Sequence, residues 1–362
     1  MSELKTNKIS TNDGNNVAID NSLGLKSYGT TARNALTSVA GDMIYNSDDA
    51  KVQVYNGSSW DDLGGSAIEV EYLIIGGAGA GGGGSLNWTV GGGGGAGGLR
   101  NSYASENTGG GLSGELALQC FTGVNYAVSV GGGGAGSATI YTAGGIGTRS
   151  YFAHITGGGG GGGGDYYGTA AALRNHGGSS GAEGSINSSA IGGRDVIPGQ
   201  GYKAGDGRTY AGSETTMAGG GGGGAAAVGS NAASGAGGAG GTGLTSSITG
   251  SSVVYAGGGG GAGYSSGGSA TGGGGAGKNT DGGAGNNGTA NFGGGGGGGT
   301  TAGNSGNTAG GNGGSGVVIL RYPNTYTLSQ SGLTTSNINT AIGGTSDKYT
   351  TITAGTGTIS FS

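Results

Sequence analysis

Hydrophobic and polar residues alternate in a short run near the start of the chain, "GDMIYNSDDAKVQVYNGSSWDDLGG". Met43 and Tyr45 have strand spacing before "NSDD", and Val52 and Val54 have it after. A period of two is typical of a strand with one buried face, and Asn, Ser and Asp favour turns. The pattern therefore predicts a small hairpin module that Trp60 caps.

Between Ile68 and Pro323 tracts of glycine replace this alternation. The tracts are of similar length, contain some alanine, and are separated by connectors with apolar or aromatic residues. They lie near residues 76–84, 91–98, 131–136, 157–164, 218–224, 235–243, 257–263, 272–277, 282–288, 293–299 and 308–316. A strand-like segment stands at each end of the region, "IEVEYLIIGG" before it and "GSGVVILRYP" after it, and we expect these two segments to pair.

Strand-like alternation returns near the C-terminus in "TYTLSQ", "KYTTITAG" and "GTISFS". Threonine, tyrosine and isoleucine are enriched in strands, so these runs predict a small β module. These changes in composition and residue pattern along the chain predict three domains: an N-terminal β module over 1–65, a glycine-rich domain over 66–323, and a C-terminal β module over 324–362.

A flexible linker is the ordinary interpretation of one glycine run, because glycine loses the most backbone entropy on folding. Regular repetition and the preference for alanine favour ordered tracts instead. Each tract can adopt the three-residue extended helix of polyproline II, in which backbone N–H and C=O groups point outward to neighbouring tracts. The predicted fold class is mainly irregular and β: a polyglycine-II helix bundle with flanking small β modules and almost no α-helix.

Composition narrows the possible classes of protein. The chain has 362 residues, of which 104 are glycine and only two are proline, which excludes a collagen triple helix. The formal net charge is -5, and the basic residues are scattered, so we expect no nucleic-acid surface. No apolar run follows the N-terminus and none is long enough to span a bilayer, so neither a secretory signal nor membrane insertion is expected. Cys120 is the single cysteine and is expected to be a small buried apolar group.

Two stretches imitate nucleotide-binding motifs, but their surroundings do not fit. "VEYLIIGGAGAGGGGS" is followed by more glycine rather than by a helix, and "GGGGAGKN" has Asn279 where a serine or threonine would bind magnesium. His154 and His176 have no ligand neighbours at metal spacing. We therefore expect no cofactor, no metal and no enzymatic activity.

Tyrosine is in excess, with 17 residues against 4 Phe and 2 Trp. Tyrosine combines a large apolar ring with a polar tip, which suits exposed binding loops. Several tyrosines share the longest connector, about 165–217, with basic residues. The candidate receptor-binding residues are Tyr166, Tyr167, Arg174, His176, Tyr202, Lys203, Arg208 and Tyr210. For any one tyrosine, the alternative is a ring that caps the end of the glycine bundle.

Several stretches resemble parts of bacteriophage tail fibres and their receptor-binding adhesins. "GDMIYNSDDAKVQVYNGSSWDDLG" is similar to small modules of phage structural proteins, and "MSELKTNKISTNDGNNVAIDNS" to the N-terminal openings of marine-phage fibre proteins. "VEYLIIGGAGAGGGG", "NYAVSVGGGGAG", "SYFAHITGGGGGGGG" and "GGNGGSGVVILRYP" resemble the glycine-rich domain of phage tail fibres and distal adhesins.

The resemblance implies a virion protein of the phage tail fibre whose glycine bundle carries host-facing loops. Its N-terminal module would serve fibre attachment or oligomerisation, and its partners would be a bacterial glycan or outer-membrane protein and other tail proteins. A homotrimer is implied, with a single-copy fibre tip as the alternative arrangement. The alternative function is a purely structural fibre or baseplate subunit; a polysaccharide depolymerase would need paired carboxylates in a groove.

Overall fold

The structure is a computed structural model, and it describes residues 24–63, 65–84, 89–137, 142–164, 177–184, 195–208, 213–279, 282–301 and 308–362. The chain divides into two compact units, Met1–Ser66 and Ala67–Ser362. The N-terminal stretch that resembles the openings of fibre proteins lies outside the described residues. The segment after residue 323, expected as a separate module, belongs to the second unit, because its strands pair with those of the central sheet.

The first unit is a four-stranded sheet in the order β1-β2-β3-β4, with one short helix. Its elements are β1 (Ser27–Tyr28), α1 (Thr30–Asn34), β2 (Met43–Asn46), β3 (Lys51–Tyr55) and β4 (Trp60–Asp62). Strands β2 and β3 form the predicted antiparallel hairpin, in which Met43 is opposite Val54 and Tyr45 is opposite Val52. The ring of Trp60 lies 5.4 Å from that of Tyr55, its partner on β3.

The second unit contains a nine-stranded sheet and a two-stranded one. The strands of the large sheet are β5 (Ala67–Ile75), β6 (Leu99–Asn101), β7 (Leu118–Phe121), β8 (Tyr126–Ser129), β9 (Ser150–Phe152), β10 (Ile155–Gly157), β13 (Val317–Pro323), β14 (Leu328–Ala341) and β15 (Asp347–Phe361). The small sheet pairs β11 (Leu244–Ser246) with β12 (Val253–Tyr255), and short 3-10 turns occur at Gly109–Gly111 and Glu214–Thr216.

Strands β5 and β13 pair antiparallel at the centre of the large sheet, which confirms the pairing expected of the two bracketing segments. Alternate residues of these strands contribute to two different cores. Tyr72 and Leu320 belong to a core that the C-terminal strands complete. Leu73 and Ile319 belong to a second core, which includes Ala96 and other residues of the glycine region. Both faces of the central strands are therefore buried, and one face anchors the glycine bundle.

The glycine tracts are ordered and hydrogen-bonded to one another with a period of three residues. In tract 76–84, Gly76, Gly79 and Gly82 donate to the carbonyls of Gly98, Gly95 and Gly92 on the next tract, at 2.9–3.0 Å. The intervening residues donate to two other segments. Three residues per turn without internal hydrogen bonds is the geometry of polyproline II, so the predicted polyglycine-II bundle is confirmed.

Tract 76–84 has neighbours on all sides. Its residues donate to segments 91–98, 142–148 and 308–316 and accept from segments 131–137, 157–164 and 293–299. Glycine makes this arrangement possible, since an added Cβ on Gly79 would overlap the carbonyl of Gly161. Six neighbours around one helix amount to hexagonal packing, in which backbone groups replace side chains as the packing surface.

Segments with fewer glycines also belong to the bundle. Ser179 and Ala182 donate to Ala96 and Gly93 of one neighbouring tract, again three residues apart. Tyr202 and Gly205 likewise donate to Gly224 and Gly221. The expectation of one long connector over 165–217 was therefore wrong, because segments 177–184 and 200–207 pack inside the bundle through their backbones.

Candidate functional site at the far end of the glycine bundle

The bundle has two different ends. Strands β5, β8 and β10 run directly into tracts 76–84, 131–137 and 157–164, and tracts 91–98 and 308–316 run directly into β6 and β13. All of these junctions lie at one end, the sheet end. The opposite end of the tracts is called the far end here.

The chain leaves the described bundle repeatedly at the far end. It does so after Gly84, Ser137, Gly164, Gly184, Arg208, Asn279 and Thr301. It returns there at Thr89, Thr142, Ser213, Gly282 and Thr308, but near the sheet end at Gly177 and Asp195. The far end is thus where most connecting segments begin, which is where binding residues on rigid scaffolds are commonly found.

Short backbone bridges hold the described part of the far end together. Thr300 pairs with Val90, Thr308 with Gly84, and Ala218 with Arg208. The side chains of Val90, Met217 and Ala262 form a small buried apolar cluster next to these bridges. These contacts hold in place the described residues at which the connecting segments begin. The large sheet lies at the other end of the bundle and does not contribute to them.

Among the buried polar side-chain atoms at this end, the Nε of Arg208 and the Oγ1 of Thr300 have no hydrogen-bond partner within the described part of the chain. Tyr264 lies nearby and is half-buried, and its backbone N–H donates to the carbonyl of Met217 at 3.2 Å. The guanidinium of Arg208 and the ring of Tyr264, both partly exposed, therefore lie close to the ends of the tracts, whereas the Thr300 hydroxyl is enclosed.

The predicted site residues do not form one group in the structure. Tyr202 and Lys203 lie towards the sheet end, where the Tyr202 backbone bonds to Gly224 and Ser180. Arg208 lies at the far end, about 19 Å along the same segment at about 3.1 Å per residue. Tyr202 is half-buried and Lys203 is exposed. The other predicted site residues, Tyr166, Tyr167, Arg174, His176 and Tyr210, lie outside the described residues.

A second polar cluster lies at the sheet, and sequence reasoning missed it. A cavity of about 240 Å³ is lined by Glu69, Glu71, Arg321 and Asp347, among others. Arg321 donates to Asp347 at 2.8 Å, lies 3.7 Å from Glu71, and stacks over the ring of Tyr103. These residues are up to 278 positions apart in the chain, so no local sequence pattern indicated that they form a cluster.

The carboxylates of this cluster are held by internal contacts. Burial raises the pKa of Glu71 despite a hydrogen bond from the Ala104 backbone and the nearby Arg321. Asp347 accepts hydrogen bonds from both the Nε and the Nη2 of Arg321. The cluster therefore joins β5, β13 and β15 electrostatically, and we regard it as structural.

Within the described ranges, no group of three or more His, Cys, Asp or Glu residues is placed to hold a metal ion. No helix in that part of the chain has the length and apolarity needed to cross a membrane. Cys120 is buried, as expected.

A family model described as "Glycine-rich domain" matches residues 53–323. The chain belongs to the glycine-rich domain family. The match covers the tracts and both bracketing strands, and it begins within β3 of the first unit. It confirms the glycine-rich domain of the resemblance drawn from the sequence. No curated protein and no solved structure matched the chain.

The contacts between tracts explain why this domain needs so many glycines. Tracts 91–98 and 157–164 contribute backbone amides and carbonyls on every side, and Gly158 additionally donates to the side chain of Gln200 at 2.7 Å. The close contacts between neighbouring tracts therefore require residues without side chains.

Proposed function

We propose that this glycine-rich domain protein is a receptor-binding adhesin of a bacteriophage tail fibre, without enzymatic activity. The connecting segments at the far end of the bundle bind a glycan or an outer-membrane protein of the host bacterium. The protein resides in the virion, where it contacts other tail or fibre proteins. The resemblance of the N-terminal and glycine-rich stretches to phage fibre proteins supports this assignment.

The proposal rests mainly on the arrangement of the bundle ends. One end continues into a nine-stranded sheet with two hydrophobic cores, whereas the other is the starting point of connectors rich in tyrosine and basic residues. A rigid support with variable segments at its tip is the usual organisation of a binding protein. The segments contain Tyr166, Tyr167, Arg174 and Tyr210, and Arg208 lies where one of them begins.

Binding of the labelled full-length protein to a panel of bacterial strains tests the proposal. We expect saturable labelling of particular strains, and competition with phage adsorption on those strains. Combined substitution Tyr166→Ala, Tyr167→Ala and Arg174→Ala should weaken binding at least tenfold. Leu116→Ala is the matched control, because Leu116 is 90% exposed and lies near the sheet.

Two results would overturn the proposal. One is the absence of binding to every strain of the panel. The other is unchanged adsorption of assembled virions after segments 165–176, 185–194 and 209–212 have been replaced by serine and glycine. The second result would favour the alternative, a structural subunit in which the hydrogen-bonded bundle is a stiff spacer. Release of reducing sugar from host polysaccharide would contradict the non-enzymatic part.

A further inference from the structure

The first unit contains an open cleft between the end of its helix and the turn that joins β3 to β4. The cleft has a volume of about 420 Å³. Leu36 lies on its helix side, Ser58 and Ser59 lie on its turn side, and Tyr55 and Trp60 lie between them. Small-molecule sites in proteins have volumes of roughly 300–1,000 Å³. The space is therefore large enough to hold a small ligand.

Two aromatic rings form the floor of the cleft. Tyr55 and Trp60 are cross-strand partners on β3 and β4, and their ring centroids are 5.4 Å apart with 54° between the ring planes. Both residues are half-buried and line the cleft, so part of each ring faces the open space. Leu36 extends this apolar surface on the helix side. Aromatic rings that a sheet holds in place give a ligand a large contact area at low entropy cost.

Polar groups at the rim of the cleft are oriented by internal hydrogen bonds. The Oδ1 of Asn34 accepts from the Nε and Nη2 of Arg33 at 3.0 and 2.8 Å, so the Nδ2 of this exposed side chain points away from Arg33. In the turn, the hydroxyl of Ser58 donates to Asn56 at 2.9 Å. A hydroxyl that donates one hydrogen bond keeps lone pairs with which it accepts others. The rim therefore presents an amide donor and a hydroxyl acceptor beside the aromatic floor.

The charge of the cleft is already compensated within the unit. Arg33 is the one charged side chain among the described residues that line the cleft. Its Nη1 donates to Gln53 at 2.7 Å and lies 3.9 Å from the carboxylate of Asp49. The guanidinium is thus engaged by neighbouring side chains and paired with an opposite charge. A ligand without net charge therefore fits this cleft better than an anion.

We propose that this cleft, hereafter the Tyr55–Trp60 cleft, binds a neutral saccharide. A pyranose ring has an apolar face of C–H groups, which packs on aromatic rings, and hydroxyl groups at its edge that donate and accept hydrogen bonds. The aromatic floor and the polar rim match these two parts of the ring. A proline-rich peptide would instead need an aromatic-lined groove longer than this corner of two rings. The site belongs to the first unit and does not depend on the proposed adhesin function of the far end.

Tryptophan fluorescence of the full-length protein measures this binding. The chain has two tryptophans, Trp60 and Trp88, so Trp88→Phe leaves Trp60 as the single reporter. The probes are the methyl glycosides of glucose, galactose, mannose and N-acetylglucosamine, with their di- and trisaccharides. At least one of these probes should change the emission of Trp60 in a saturable way. A proline-rich peptide and glucuronic acid should not, and calorimetry on the wild-type chain should give the same dissociation constant.

Two substitutions, measured by calorimetry, test the contacts of the Tyr55–Trp60 cleft. Trp60→Leu keeps an apolar side chain but removes the ring, and it should raise the dissociation constant about tenfold, because aromatic anchors dominate binding energies. Asn34→Asp gives an answer even if Trp60→Leu fails to fold. It keeps an oxygen for Arg33 at an exposed position and removes the Nδ2 donor, so the dissociation constant should rise about threefold.

Tyr45→Ala is the matched control within the same unit. Tyr45 is 38% exposed, and it lies opposite Val52 on the face of the sheet that does not carry Tyr55, since successive residues of a strand alternate. Its substitution should leave saccharide affinity unchanged. Replacement of segments 165–176, 185–194 and 209–212 by serine and glycine should also leave it unchanged, which separates this site from the far-end site of the proposed adhesin.

Three results would overturn the saccharide proposal. The first is that no saccharide of the panel changes the emission of Trp60 or gives heat of binding. The second is saccharide binding that Trp60→Leu and Asn34→Asp both leave unchanged, since the ligand would then bind elsewhere on the chain. The third is tighter binding of the peptide or of glucuronic acid than of every neutral saccharide, which would assign the cleft to a different class of ligand.

Discussion

At the scale of single residues, the absence of a side chain is the property on which the bundle depends. Gly160 is buried in tract 157–164, and a Cβ added to it would overlap the carbonyl of Gly95 and lie 2.6 Å from that of Ala96. The colliding atoms are backbone and cannot rotate away. Gly132 has no such neighbour, because the nearest atom to its added Cβ is the Thr148 hydroxyl at 4.0 Å.

These two glycines make a matched test. Gly160→Ala should lower the free energy of unfolding by about 3 kcal/mol, the upper range for overpacking, and Gly160→Val should lower it further. Gly132→Ala should change it by less than about 1 kcal/mol. Thermal and denaturant unfolding of the full chain measures both. Equal stability of Gly160→Ala and Gly132→Ala would contradict close packing of this tract.

At the scale of elements, Glu115 ties strands β5 and β6 to the segment that follows them. Its carboxylate accepts from the Tyr72 hydroxyl at 2.7 Å, from Thr108 at 3.0 Å, and from Arg100. Burial by itself would raise the pKa of Glu115, but the hydrogen bonds from Arg100 and Tyr72 outweigh it, so that the pKa is lowered. A carboxyl with a lowered pKa stabilises the folded state above its unfolded pKa.

Glu115→Gln should therefore destabilise the protein most at neutral pH. We expect a loss of about 1–2 kcal/mol at pH 7, within the lower range for charged hydrogen bonds, because the side chain is partly exposed. The difference from wild type should shrink as pH falls below the ordinary carboxyl value of about 4.3, because the unfolded chain then binds a proton that the folded carboxylate, with its lowered pKa, does not. Melting temperatures at pH 7 and pH 3 test this. Asp195→Asn, at an exposed position, is the control; an effect of Glu115→Gln that is independent of pH would be the contrary result.

At the scale of the whole molecule, the large sheet and the bundle depend on each other. Leu73 and Ile319 of the sheet pack with Ala96 and Ala256 of the bundle in one core. A glycine tract gains about 0.5–1.5 kcal/mol per hydrogen bond, comparable with the backbone entropy it loses, so a single tract has little stability of its own. Order in the bundle therefore arises cooperatively, with the sheet as its base.

Hydrogen exchange of the full chain should reveal this cooperativity. Amides of the enclosed tract 76–84 should be the most protected of the bundle, and those of tract 91–98 nearly so, because neighbours surround both. Amides of segment 131–137, whose Gly132 and Gly133 are exposed, should exchange sooner. Unprotected exchange throughout 76–84 would contradict the ordered bundle. Mass spectrometry with peptide resolution is sufficient for this comparison.

Much of this architecture was predictable from local pattern. The period of two in "MIYN" and "KVQVY" indicated the hairpin, and the apolar runs at Val70–Ile75 and Val317–Tyr322 indicated paired buried strands. The repeated tracts without side chains indicated polyglycine II, because glycine can adopt the three-residue extended helix, whose backbone groups point outward to neighbouring tracts. In each case the signal lies within a few neighbouring residues, where steric rules and periodicity act directly.

Only the tertiary structure decided which segments share the bundle and where each end of it lies. Segments 177–184 and 200–207 belong to the bundle through their backbone hydrogen bonds, and residue type gives little indication of such bonds. Tyr202 and Arg208 therefore lie far apart along the bundle. The Arg321 cluster likewise joins residues from distant strands. Sequence by itself determined the local shape of the tracts, because glycine sterics are local. Their neighbours were decided by three-dimensional packing, because any backbone amide can bond to any carbonyl that approaches it.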